Sequence, residues 1–137
     1  MEDRGICQRH ILINATWVVL LTVWLAVPLR AHGDDGTVEH IVIVWLKEPG
    51  NHAARKRVLE NSQRLGAIPG VLSIKSGRAI PGNRPVVDSS FDVALVITLA
   101  DAAAMQDYLT HPIHIQLVEE TMKPLVERIQ VYDFSYP

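Results

Sequence analysis

The chain has 137 residues, of which 48% are hydrophobic and 20% charged, with 13 basic and 15 acidic side chains. That balance suits one globular domain and excludes a disordered chain. No Lys/Arg-rich block occurs, so nucleic acid is not an expected partner.

The first 33 residues differ from the rest. Ile11 to Leu29 carries no charge, Arg4 and Arg9 precede it, and the small residues Ala31 and Gly33 follow at the spacing signal peptidase prefers. This reads as a secretory signal peptide, which would place residues 34–137 in a secreted or periplasmic location. The alternatives are a buried core helix or an uncleaved membrane anchor over residues 11–29, because nineteen uncharged residues can just span a bilayer. Asn14, Thr16 and Thr22 weaken the segment as a span. Only an uncleaved segment would make the membrane a partner. The single cysteine, Cys7, lies before the apolar run, so residues 34–137 can hold no disulfide and no thiolate. That stretch has ten basic and thirteen acidic residues, a mildly acidic balance.

"VEHIVIVWLK" (Val38–Lys47) is β-branched and apolar on both alternating sets, as in a strand covered on two faces. "EPGN" breaks it. In the following helix, Ala54, Val58 and Leu65 form the apolar stripe, and Pro69–Gly70 ends it. "VLSIKSGRAI" (Val71–Ile80) carries Lys75 and Arg78 and reads as an edge strand. A turn-rich stretch leads to "FDVALVITLA" (Phe91–Ala100), again apolar on both faces. Asp101 is placed to cap the helix "AAAMQDYLT". A second helical piece begins at Pro112, with Ile115, Val118, Met122 and Leu125 as its expected buried stripe and Pro124 as its end or kink. "RIQVYDFSY" closes the chain as a strand.

The order β-α-β-β-α-β is the ferredoxin-like split unit, an α+β fold. Helices that all return to one face cannot cover a sheet that is apolar on both. The economical cover for the second face is another copy of the chain, so a homodimer is expected, with either face as its interface.

"YLTHPIHIQ" (Tyr108–Gln116) is the stretch with chemistry in it. Pro112 suits a first helical position, which puts His111 at the N-cap and His114 one turn on, with Tyr108 closing the helix before. The bend can turn Tyr108 and His114 toward one concavity, with His40 near its mouth. The positive end of the helix would favour a neutral His114 imidazole, able to accept a proton, and a neighbouring phenol can donate to a developing oxyanion. His114 and Tyr108 are therefore the catalytic candidates, and His40 and His111 the ligand-binding ones, His111 chiefly as a cap. The bland alternative is that all four only pack and cap. No third metal ligand has a fixed spacing to His111 and His114, and no nucleotide-binding glycine pattern occurs, so neither metal nor cofactor is expected.

"HIVIVWLKE", "IPGVLSIKSGRAI", "FDVALVITLADAAAMQDYLTHPIH" and the closing "IQVYDF" together resemble the stress-responsive α/β-barrel (Dabb) domain, over Val38 to Tyr136. The resemblance implies a ferredoxin-like subunit in a dimeric α/β barrel, with residues 34–137 as the domain. It also implies two readings of function. One is a stress-response protein that binds a small apolar or aromatic ligand. The other is a cofactor-free cyclase or isomerase, similar to the plant polyketide cyclase that makes olivetolic acid, in which a histidine and a tyrosine drive an aldol closure. By the motif those two fall on His114 and Tyr108, the first-strand histidine on His40, and the histidine before proline on His111. The cyclase has a further pocket histidine on the preceding strand. Here that strand has none, and Val93 stands at about its place.

Overall fold

A computed structural model describes residues 36–136. The expected signal peptide or anchor lies outside the described residues. Among the described residues, no helix is long and apolar enough to cross a membrane.

Strand β1 (Thr37–Leu46) leads into helix α1 (His52–Ser62), which tightens into a 3₁₀ turn over Gln63–Ala67. Strands β2 (Val71–Gly77) and β3 (Val93–Leu99) follow, then helices α2 (Ala102–Thr110) and α3 (Pro112–Leu117). A π turn (Val118–Met122), the short helix α4 (Lys123–Leu125) and strand β4 (Val126–Tyr136) complete the chain. The sheet order is β2-β3-β1-β4 with every neighbouring pair antiparallel, the ferredoxin-like arrangement expected from the element order.

Local chemistry sets the element boundaries. Asn51 and Asp101 cap α1 and α2 by accepting from the backbone N–H of Ala54 and Ala104. Gly70 has φ +88°, and a Cβ there would stand 2.7 Å from that of Ala104, so the turn into β2 needs a glycine. β2 stops at Gly77 rather than at Ile80, and it is an edge strand as expected.

The last helical region departs from expectation. Pro124 has no N–H for the carbonyl of Glu120, four residues back, and Arg57 Nη2 donates to that carbonyl instead, at 3.3 Å. The π turn just before it rotates the chain, so the buried side chains are Leu117, Thr121 and Met122. Ile115, expected in the stripe, is 49% exposed.

Burial alternates along the central strands. Val38, His40, Val42, Val44 and Leu46 of β1 and Val93, Leu95, Ile97 and Leu99 of β3 are buried against the helices, Val58 and Leu65 among them. Among the described residues, no helix covers the opposite face. It carries the half-buried Ile41, Ile43 and Trp45, with Tyr132, Phe134 and Tyr136 of β4 exposed beside them. Both sets are apolar, but the helices take the first, which leaves the second as the open face.

Candidate functional site

Three elements converge on one cavity. β1 carries His40 on its helix side, and the β1–β4 register sets it opposite Asp133. Asp133 Oδ1 lies 2.6 Å from His40 Nδ1. A carboxylate accepts, so Nδ1 carries the proton in this pair and the ring orientation is fixed by it. Tyr108, in the last turn of α2, is 1% exposed. Its ring meets His40 edge-on at 5.5 Å and lies 4.7 Å from the ring of His114, between centroids.

The bend at His111 produces that second contact. His111 is extended (φ −68°, ψ 137°), its Nδ1 accepts from Ile113 N–H, and Pro112 starts α3. With Ile113 N–H so engaged, the Leu109 carbonyl at the end of α2 lacks its helical donor. His114 Nδ1 occupies that place, 3.1 Å from the oxygen. A carbonyl can only accept, so this bond fixes the tautomer and leaves His114 Nε2 as the basic nitrogen.

Burial, above all, holds the His114 imidazole below its usual range. The Leu109 bond opposes this and raises it, while repulsion from His40, whenever that ring is protonated, lowers it further. The dipole invoked from the sequence is not the cause, since α3 has only six residues. Burial likewise pushes the Tyr108 phenol far above its ordinary value, and the Asp133 charge adds to this. The phenol therefore stays protonated. Its hydroxyl makes no hydrogen bond among the described residues, so it is free to donate to a guest.

The cavity between sheet and helices has a volume of about 210 Å³, with Val42, Leu95 and Leu117 among its apolar walls. Ile129 (42% exposed) and Val131 stand at its open side. A cavity of about 150 Å³ takes benzene, so one aromatic ring with a short substituent fits here. The polar groups number few and converge, as in a small-molecule site.

The structure thus brings His40, Tyr108 and His114 together and leaves His111 out. His111 caps α3 and borders a separate shallow hollow beside Pro69. His40 is buried in the wall rather than placed at the mouth. Leu95, not Val93, is the β3 residue that lines the cavity. Asp133 was missed from the sequence, although it stands in the "YDF" of the last strand. Alternation along β4 was its only signal, and that alone gives no register. Among the described residues, no group of three or more His, Cys, Asp and Glu is arranged to hold a metal ion.

The chain is similar to several solved structures. A Dabb family protein with a ferredoxin-like fold from Mesorhizobium loti is 29% identical, with a TM-score of 0.62, over 74% of this chain and 98% of that one. Hydroxynitrile lyase from Passiflora edulis is 21% identical, with a TM-score of 0.61, over 75% of this chain and 95% of that one. A dimeric ferredoxin-like protein of unknown function from Thermobifida fusca is 18% identical, with a TM-score of 0.59, over 73% and 91%. The last two likenesses speak for the fold alone. No curated protein matches the sequence. The profile of the stress responsive A/B barrel domain matches residues 38–136, which include every strand and helix around the cavity, and so the chain belongs to the Dabb family.

Proposed function

We propose that this Dabb domain takes up a small apolar or aromatic compound bearing a carbonyl or similar acceptor oxygen, in the cavity of His40, Tyr108 and His114. One observation carries this reading. In an apolar cavity of about 210 Å³, the tautomer-fixed His114 packs ring to ring, 4.7 Å between centroids, against Tyr108, whose hydroxyl has no partner among the described residues. Walls of Val, Leu and Ile select an apolar body, and the phenol selects an acceptor oxygen on it.

The same pair favours a second reading, a cofactor-free proton transfer of the cyclase or isomerase kind. A neutral His114 Nε2 can take a proton from the carbon next to a carbonyl. Tyr108 O–H can donate to the oxygen on which the charge collects, and His40, oriented by Asp133, lines the same cavity with its ring edge-on to that of Tyr108. The same fold in a hydroxynitrile lyase is compatible with an enzymatic role. Acetophenone tests both readings. Binding should saturate by calorimetry, and in heavy water the methyl protons should exchange for deuterium faster with protein than with buffer. Binding without exchange leaves the first reading, and His114→Ala should then weaken it. If wild type does not bind acetophenone or other one-ring ketones, both readings fail.

We further propose that the protein is exported and dimeric. The charge-free run Ile11–Leu29 supports export, and mass spectrometry of protein from the native host should show a start near Asp34. An intact Met1 on cytoplasmic protein would overturn this. The open apolar face of the sheet, together with the dimeric state named for the Thermobifida relative, supports the homodimer.

A further inference from the structure

A second concavity, larger than the one above, lies at the other end of β1. This hollow of about 520 Å³ lies where the β1–α1 turn meets residues 78–92, which connect β2 to β3. Fifteen residues without regular structure make an unusually long connection for so compact a domain, and such loops commonly carry function. Two guanidinium groups from different parts of the chain line this hollow: Arg55 from the first turn of α1 and Arg78 from the end of β2. Ser89 and Ser90 contribute hydroxyls, and Phe91 and Ile80 contribute apolar surface.

Among the described residues lining it, the one carboxylate, Asp92, is already committed. It accepts from Leu46 N–H and Gly50 N–H at 3.0 Å each and from Arg55 Nη2 at 3.3 Å. Burial raises its pKa, but the Leu46, Gly50 and Arg55 bonds together outweigh this and hold it below the usual range. Asp92 therefore balances Arg55 and leaves Arg78 over. Arg78 makes no hydrogen bond or ion pair among the described residues. The hollow carries one net positive charge, a planar donor fork and an aromatic wall.

We propose that this hollow is a second ligand site, distinct from the His114 cavity, for a small monoanionic carboxylate with a flat apolar body. A guanidinium fork matches a carboxylate in two parallel hydrogen bonds. Phe91 and Ile80 cover the body. A single uncompensated charge suits a monoanion and leaves a phosphate dianion half unpaired.

Trp45 offers a reporter on the far side of the sheet end. Its Nε1 donates to Ser90 Oγ at 3.0 Å, and its ring meets Phe91 edge-on at 6.5 Å. The test uses the full chain with Trp17→Phe and Trp24→Phe, so that Trp45 alone emits. Benzoate should change its fluorescence saturably, with a dissociation constant in the millimolar range or below. Arg78→Ala should weaken benzoate at least tenfold without moving the melting temperature. Benzyl alcohol, similar in shape but neutral, and inorganic phosphate should each bind at least tenfold more weakly than benzoate. Any of four results would overturn the proposal: no saturation with benzoate, equal binding to the Arg78→Ala variant, equal binding of benzyl alcohol, or phosphate binding as tightly as benzoate. None of these depends on what the His114 cavity holds, and His114→Ala should leave the Trp45 response intact.

Discussion

Replacing Tyr108 by Phe separates the functional reading of the cavity from the packing one. The ring is 1% exposed and touches both His40 and His114, and Phe keeps those contacts. The hydroxyl has no partner among the described residues, so the change breaks no hydrogen bond of the protein. Removing an unpaired polar atom from an apolar site should leave stability unchanged or raise it by up to about 1 kcal/mol. For a domain of this size that is a rise in melting temperature of at most about 8 °C. A bound ketone, by contrast, loses a hydrogen bond worth about 0.5–1.5 kcal/mol, so acetophenone should bind about 2- to 10-fold more weakly. If the phenol stabilises an enolate, proton exchange should fall further, by about 10² to 10³. Tyr108→Ala is the contrast: it empties a buried ring and should cost about 3–5 kcal/mol, well over 10 °C of melting temperature. Calorimetric titration and thermal unfolding of the two variants read all of this. A Phe variant that melts several degrees lower and binds acetophenone as tightly as wild type would refute the reasoning, because the hydroxyl would then serve the fold and not the guest.

Two further outcomes are expected. The folded His114 resists protonation, whereas the unfolded chain takes the proton near pH 6.5. Its contribution to stability is therefore complete above about pH 6.5 and declines as the pH falls below that value toward the folded pKa. Melting temperatures measured from pH 8 to 5 should drop on the acid side, and His114→Gln should flatten that drop; an unaltered profile would contradict the assignment. Ile43→Asp, on the helix-free face, should convert a sedimenting dimer into a monomer or an aggregate while the helix side of the sheet is untouched. A wild-type monomer at micromolar concentration would end the dimer proposal.

The fold was legible because its signals are local. Proline–glycine turns, the Asp101 cap and the alternating apolar strands each mark a boundary without knowledge of anything distant. The Tyr108–His114 pair was legible for the same reason, since Pro112 fixes the bend within seven residues of chain. The rest of the site depends on long-range contacts. Asp133 meets His40 across 93 residues, and only the ladder between β1 and β4 decides that they are opposite. A slip of one residue would turn Asp133 to the other face of the sheet. The π turn was hidden because Pro124 marks an interruption without saying how the freed Glu120 carbonyl is satisfied, and its partner, Arg57, is far away in sequence. The choice of open face was hidden because both alternating sets of β1 are apolar, and only the packed helices distinguish them.

That register has a consequence for the site. Among the described residues, β4 is an edge strand, paired along its length with β1 alone. Ile129, Val131 and Asp133 alternate toward the cavity, while Tyr132, Phe134 and Tyr136 alternate toward the helix-free face. One strand thus supplies the open wall of the cavity, the carboxylate that orients His40 and much of the exposed aromatic surface on the other side. Its backbone cannot shift on one face without shifting on the other, because the side chains are two residues apart on a single pleated ribbon. In the proposed dimer, a partner covering Phe134 and Tyr136 would press on the same ribbon that carries Asp133. A change that loosens β4 on the open face, such as Phe134→Ser, should therefore also weaken the Asp133–His40 pair and with it acetophenone binding; a variant that disrupts the dimer and leaves binding unchanged would contradict this.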